Sequence, residues 1–234
     1  MESTDRPNAC AVLFDWENTL LDLRATREAF FVIQWQSFLD ELLHIPARTY
    51  VDAALRHLQT AANPGMAYRR VVEELKLPAE LAQLLANDFH TQQGGAPRLF
   101  PGALNLMRHL SVLYKTGLIG QGNVGFVQHT LKRTGIAPYL HHVQVNETNG
   151  GGKPGTEIFR KALRALKVPA HQTVYVGDDL ETDLLAAAES GLRTIWKRPD
   201  HMPRQMHPDH ADAVIDDIRD LPHALRDFAG IPAG

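Results

Sequence analysis

Two carboxylates, Asp15 and Glu17, follow the apolar run Ala9 to Phe14. Far along the chain a second such run, Thr173 to Val176, ends in Gly177-Asp178-Asp179, with Asp183 close behind. Short apolar runs that stop in polar residues fit strands buried on both faces of a parallel sheet, and ligands of such sheets bind just past the strands' carboxyl ends. Acids from two separate strand ends repel each other unless a cation lies between them, and oxygen donors without His or Cys favour Mg²⁺. A glycine-rich turn, Gly120-Gln121-Gly122, and a loop lysine, Lys153, supply free N–H groups and positive charge, which suit a phosphate. Acid pair, metal and anion cradle together describe phosphoryl transfer with a carboxylate nucleophile.

The rest of the chain must bring these groups together. From Leu20 to Arg98 apolar residues recur at helical spacing: Phe30, Ile33, Phe38, Leu39, Leu42 and Leu43; Val51, Ala54, Leu55 and Leu58; Tyr68, Val71, Val72 and Leu75; Leu81, Leu84, Leu85 and Phe89. Pro46, Asn63-Pro64-Gly65, Pro78 and Gly94-Gly95 punctuate them. This pattern predicts four helices without a strand, inserted after the first strand as a separate small domain over that strand's end. From Phe100 onward helices alternate with strands. Helices are expected at Ala103 to Leu113, from the glycine-rich turn to Arg133 with Gly135 as its cap, at Glu157 to Leu166 and at Leu184 to Ser190. Strands are expected at Lys115 to Ile119, His142 to Val145, Thr173 to Val176, Arg193 to Trp196 and Ala213 to Ile215. That alternation implies an α/β protein with a doubly wound, Rossmann-like parallel sheet.

A chain of 234 residues suits one or two domains with a substantial core. The formal net charge of −3 gives no electrostatic case for nucleic acid or an anionic membrane. Cys10, the single cysteine, excludes an internal disulfide, is expected within a buried strand, and fits a reducing, cytoplasmic setting. Met1 to Asn8 resembles neither a signal nor a transit peptide, and no apolar run is long enough to span a membrane. His201, His207 and His210 crowd a proline-rich loop whose spacing matches no zinc pattern, so the loop is expected to be solvated. Trp35 is expected in the core of the helical insertion and Arg69-Arg70 on a solvated face, with Arg69, Arg70 and His90 as residues that could select a substrate.

With these residues in order, the sequence resembles the haloacid dehalogenase-like (HAD) superfamily from about Ala9 to Leu225. The first motif, Asp-x-Asp-x-Thr in most phosphatases of that family, is here Asp15-Trp16-Glu17-Asn18-Thr19. The second, a strand ending in Ser or Thr then Asn-Gly, falls on Leu118-Ile119-Gly120-Gln121-Gly122; the third is Lys153-Pro154; the fourth is Gly177-Asp178 to Asp183. Val176 to Leu192 is similar to the corresponding segment of N-acylneuraminate-9-phosphatases, and Gly122 to Gly135 to that of small nucleotidases. The resemblance implies an α/β core of residues 1–19 and 99–234 and a helical cap of residues 20–98. It implies a Mg²⁺-dependent phosphatase acting on a small phosphorylated metabolite, as a monomer or homodimer. Asp15 would be the nucleophile and Glu17 the acid and base. The Asp15 carboxylate, the Glu17 carbonyl and Asp178 would hold Mg²⁺. Lys153 would neutralise Asp15 and the phosphate, which Gly120 and Gln121 would also contact. Thr19, Asp179 and Asp183 would support the site, Asp183 by positioning Lys153 or a metal-bound water.

Two positions depart from the family pattern. Glu17 replaces the usual Asp, moving the carboxyl by about 1.5 Å, and a displacement near 1 Å can cost roughly 100-fold in rate. The enolase-phosphatase branch carries Glu at this place. Gly120 lacks the phosphate-binding hydroxyl, and a hydrogen bond to a charged group is worth about 1.5–3 kcal/mol, or roughly 10- to 100-fold. These departures motivate an alternative, a HAD-fold protein that binds a phosphorylated ligand or partner without turnover. A 2-haloacid dehalogenase would use the same aspartate without a metal, and would have no use for the acids at Asp178-Asp179.

Overall fold

The computed structural model describes residues 9–92, 95–146 and 155–229. Strand β1 (Ala11–Phe14) has four consecutive apolar residues, all buried. Helices α1 (Leu23–Ser37), α2 (Leu39–Leu42), α3 (Ala47–Thr60), α4 (Pro64–Glu74) and α5 (Leu81–Gln92) follow it. Then come α6 (Ala103–Leu113), β2 (Lys115–Gln121), α7 (Val124–Thr134), β3 (His142–Asn146), α8 (Glu157–Leu166) and β4 (Thr173–Gly177). A π-helical turn over Leu180–Leu185 runs into α9 (Ala186–Glu189), and β5 (Arg193–Lys197), β6 (Ala213–Ile215) and α10 (Leu221–Ala229) complete the order. The described residues divide into two compact units, one of Leu23–Arg98 and one of the residues before and after it.

The larger unit is built on a six-stranded sheet of order β3-β2-β1-β4-β5-β6, with every neighbouring pair parallel. The chain winds outward from β1 to β3, then crosses back to β4 on the other side of β1, so the direction of winding switches at β1. Parallel strands of this kind are buried on both faces and need helical crossovers. Helix α8 shows the pattern: Ile158, Phe159, Ala162, Leu163 and Leu166 form one stripe, and all are buried. They pack with Leu13, Ile119 and Tyr175, which face them from three adjacent strands. Local signals set the helix ends. Asn123 caps α7 by accepting from the Phe126 N–H (2.9 Å), and Gly135 closes it in the left-handed region (φ 72°).

The helical unit has its own core, in which Phe30, Phe31, Tyr68 and Phe89 meet edge-on or stacked. Among the described residues it holds five helical segments rather than the four expected. The difference lies at Phe38, which leaves helical conformation (φ −111°, ψ 36°) and separates α1 from the single turn α2. The Ser37 hydroxyl bonds back to the Ile33 carbonyl (3.0 Å), a side-chain contact that bends helices. The break lets Leu42 reach the core while Leu43 stays exposed. Trp35 packs against this core and its indole donates to the Ile45 carbonyl (2.9 Å), whereas Arg69 and Arg70 are exposed. Cys10 differs from expectation: it precedes β1, is only partly buried, and donates its N–H to Gln172 (2.8 Å). Among the described residues no helix is long and apolar enough to cross a membrane.

Candidate active site

Sheet register alone puts the two acidic strand ends side by side. Phe14 of β1 is level with Val176 of β4 and with Leu118 of β2. Asp15 therefore emerges next to Gly177, one step before Asp178, and its N–H still pairs with the Val176 carbonyl (2.9 Å). The site lies where the winding switches at β1, the place at which open α/β sheets bind ligands. One carboxylate oxygen each of Asp15, Asp178 and Asp183 lies within 4.8 Å of the others. Asp15 and Asp183 are buried, at 6% and 1% exposure. A cavity of about 340 Å³ opens on this group, lined also by Trp16, Glu17, Asn18, Gln121, Gly122, Asp179 and Thr182.

The fourth motif is shaped by one glycine. A Cβ on Gly177 would lie 2.6 Å from an Asp183 oxygen, so only glycine lets the π-helical turn fold Asp183 back over the end of β4. Asp183 Oδ1 accepts from the Tyr175 hydroxyl (3.0 Å) and Oδ2 from the Asp179 N–H (3.3 Å). Asp179 caps the turn, accepting the N–H groups of Glu181 (3.0 Å) and Thr182 (2.7 Å) through Oδ1. Thus Asp183, expected to support the site, sits inside the acid group itself. Glu17 lines the cavity, but its carboxylate is not part of that group.

On the β2 side, Gln121 and Gly122 line the cavity. Gly120 is buried in the strand, and the atoms nearest to a Cβ there belong to Leu118 and Val127, at ordinary contact distances of 3.4 and 3.8 Å. Gly122 turns the chain into α7 with φ 111°, a conformation that favours glycine. Thr19 is fully buried, and its hydroxyl makes no hydrogen bond among the described residues. Lys153 and Pro154 lie outside the described residues.

Four residues to which the motifs assign no role hold this frame. The Trp16 indole donates to Thr130 on α7 (3.0 Å). The Trp196 indole donates to the Asp178 carbonyl (2.8 Å). Lys197, 5% exposed at the end of β5, donates to the Asn18 carbonyl (2.8 Å) and lies over the Phe100 ring at 3.6 Å. Asn18 is left-handed (φ 59°) and its N–H pairs with Leu21 (2.7 Å), so the Asp15–Leu21 loop is held on both sides of that residue. The fourth is Tyr175, beneath Asp183. Burial pushes the Tyr175 phenol well above its ordinary pKa, and the charges of Asp15, Asp178 and Asp179 push the same way. Burial lowers Lys197, against the pull of Asp178, Asp200, Asp22 and Asp217. No local signal marks Tyr175, Trp196 or Lys197: Tyr175 sits inside an apolar strand, and β5 reads Arg-Thr-Ile-Trp-Lys, with polar residues at both ends.

The donor set suits a hard divalent cation. It is all oxygen, it comes from three carboxylates of one sign, and it includes neither His nor Cys. His201, His207 and His210 are exposed, and among the described residues no group with metal-binding spacing includes them. What the arrangement offers chemically is a buried carboxylate, a place for a cation beside it, and a glycine turn on the opposite strand.

Relatives bear on that chemistry. Glyceraldehyde 3-phosphate phosphatase of Pyrococcus abyssi is 33% identical over 109 residues, 46% of this chain and 46% of that protein. The chain spans about half the length of the curated relatives it matches. The solved structure of the HAD-hydrolase YfnB of Bacillus subtilis, bound to magnesium, matches with a TM-score of 0.70 at 21% identity, over 93% of this chain and 99% of that one. At that identity the likeness speaks for the fold. A 2-haloacid dehalogenase of Pseudomonas syringae matches with a TM-score of 0.59 at 26% identity, over 94% of this chain and all of that one (100%). The haloacid dehalogenase-like hydrolase family matches residues 11–191, from the first residue of β1 to the glycine after α9, and the chain belongs to that family of hydrolases.

Proposed function

We propose that this chain hydrolyses a small phosphate monoester in a Mg²⁺-dependent reaction that passes through an aspartyl phosphate on Asp15. The observation that carries this reading is the convergence of Asp15, Asp178 and Asp183 within 4.8 Å at the ends of two adjacent strands. Held by Asp15, the Glu17 carbonyl and Asp178, with the Asp183 carboxylate converging on the same place, Mg²⁺ would neutralise charge on the phosphoryl oxygens. An Asp15 carboxylate oxygen attacks phosphorus, the bond from phosphorus to the ester oxygen breaks, and Glu17 gives that oxygen a proton. Glu17 then takes a proton from water as the water attacks phosphorus, releasing inorganic phosphate and restoring Asp15. Gln121 and the turn at Gly120 to Gly122 face the anion, and Lys153 neutralises it, as the family resemblance implies.

The relative named as a glyceraldehyde 3-phosphate phosphatase supports a small phosphorylated metabolite as substrate. Choice among such esters is assigned to the inserted helical unit, the family's cap. The acid group favours this reading over haloacid dehalogenation, because it repels an anionic haloacid and its leaving halide, whereas a metal-bridged phosphate is drawn to it. The second reading, a phosphate-ligand binder without turnover, draws on Gly120, where no hydroxyl faces the anion. Hydrolysis of p-nitrophenyl phosphate with Mg²⁺ or EDTA, alongside Asp15→Asn, separates them. Mg²⁺-dependent release that vanishes in Asp15→Asn is the expected result. No Mg²⁺-dependent hydrolysis of any member of a broad phosphate-ester panel overturns the proposal, and stabilisation by phosphate without product establishes the binder.

A further inference from the structure

Tyr175 is fully buried in the middle of β4, edge-on to Phe159 (centroids 5.0 Å apart, 83°) and packed with Leu13, Ile119 and Ala187. Nothing in that packing asks for a hydroxyl. A phenol buried among apolar side chains costs free energy unless its O–H finds a partner, and phenylalanine would fill the same space. The partner it finds is Asp183 Oδ1, 3.0 Å away. The link is built into the strand: Tyr175 and Gly177 are two residues apart and share one face of the sheet. Gly177 has no side chain, Asp183 occupies the space a Cβ would fill, and the Tyr175 hydroxyl meets the carboxylate from below.

We propose that Tyr175 is a positioning residue for the cation site: its hydroxyl fixes the orientation of the Asp183 carboxylate so that the oxygens of Asp15, Asp178 and Asp183 converge on one ion. This rests on the Mg²⁺ reading above. Like charges at this spacing push apart, and a carboxylate free to rotate would turn away from the other two. The Tyr175 O–H at Oδ1, beside the Asp179 N–H at Oδ2, holds the carboxylate without adding a charge of its own. Partners of this sort, one shell beyond the ligands, typically tune metal affinity by about 10- to 100-fold.

The test is calorimetric titration of the full chain with MgCl₂ alone, without substrate, on the unaltered protein, Tyr175→Phe, Asp183→Asn and the double variant, with circular dichroism melts in EDTA to confirm folding. Tyr175→Phe is expected to bind Mg²⁺ about tenfold more weakly. The double variant is expected to match Asp183→Asn within about twofold, because a residue acting through Asp183 has nothing left to act on. Tyr175→Met, which fills the space without a hydroxyl, should repeat the loss. If the unaltered chain binds no Mg²⁺, the metal reading fails and this proposal with it. If it binds and the folded Tyr175 variants bind equally well, the role of Tyr175 alone is overturned. Full additivity in the double variant overturns it too, since Tyr175 would then act elsewhere.

Discussion

Two buried polar clusters among the described residues are built on opposite principles. In the helical unit Gln34, fully buried, donates to the Leu85 carbonyl (3.0 Å) and to Asp88 Oδ2 (2.8 Å), and accepts from Tyr50 (2.6 Å) and Tyr68 (2.7 Å). Donors and acceptors match, and the amide's full capacity is used. Burial, with Asp88's charge adding to it, pushes Tyr50 above its ordinary pKa, so it stays a donor at any working pH. In the α/β unit three carboxylates meet within 4.8 Å, the same sign facing itself. The first cluster completes a core. The second gathers like-charged oxygen donors, a set that suits a cation. The difference shows why burial of polar groups alone does not mark a site: what marks it is a convergence of like-charged oxygens, a donor set that suits a cation.

The sharpest way to break the comparison is to change one residue in each cluster and read both stability and turnover. Asp15→Asn removes the proposed nucleophile and one of three like charges. Phosphatase activity is expected to fall about a thousandfold or more, with little change of thermal stability in EDTA, because asparagine keeps the shape of the side chain. Gln34→Leu should do the reverse. It strands the Tyr50 and Tyr68 hydroxyls, and unsatisfied buried groups cost about 1–3 kcal/mol each, so urea unfolding should show a loss of about 3 kcal/mol. If Asp15→Asn destabilises the protein as Gln34→Leu does, the acid cluster is part of the core and the contrast disappears.

The acid cluster was far more legible in the sequence than the residues that hold it. Asp15 and Asp178 end apolar runs, and in a parallel sheet strand ends collect at one edge, so topology predicts their meeting. Helix α8 was equally legible, since its apolar stripe repeats with helical period over its whole length. The break at Phe38 was not, because Phe38, Leu39, Leu42 and Leu43 continue that period by residue type, and only tertiary packing separates the buried Leu42 from the exposed Leu43. Tyr175 and Lys197 escaped notice for another reason. Each reads as one more residue of a buried strand, and the function lies in the last polar atom of the side chain. Lys197 meets Asn18 across 179 residues of sequence, a pairing that depends on the order of strands and their register rather than on any local pattern.

Lys197 sharpens the comparison at its edge, where a core contact serves the site. Replacing it with methionine keeps most of the volume and removes the donor to Asn18. A loop shifted by a fraction of an ångström misplaces Asp15 and Glu17 together, so kcat is expected to fall about tenfold with KM within about twofold. The protein should remain folded by circular dichroism. An equal fall in activity and folded fraction would mean that the contact serves stability alone.

An effect of similar size but opposite sign is expected at Gly120, where it is a gain. The second motif lacks its hydroxyl there, and the surroundings leave room to restore one: an added Cβ meets Leu118 and Val127 at 3.4 and 3.8 Å, with no atom close enough to force a shift. Serine adds one hydroxyl beyond that Cβ. Since a hydrogen bond to a charged partner is worth about 1.5–3 kcal/mol and part of that is offset by ordering the side chain, Gly120→Ser should raise kcat/KM by about tenfold. A rise would show that this strand end faces the phosphate and that the chain works below the capacity of its own scaffold. A fall with unchanged stability would mean that Gln121, the neighbour that lines the cavity, already occupies the anion's side of the turn and that the serine displaces it.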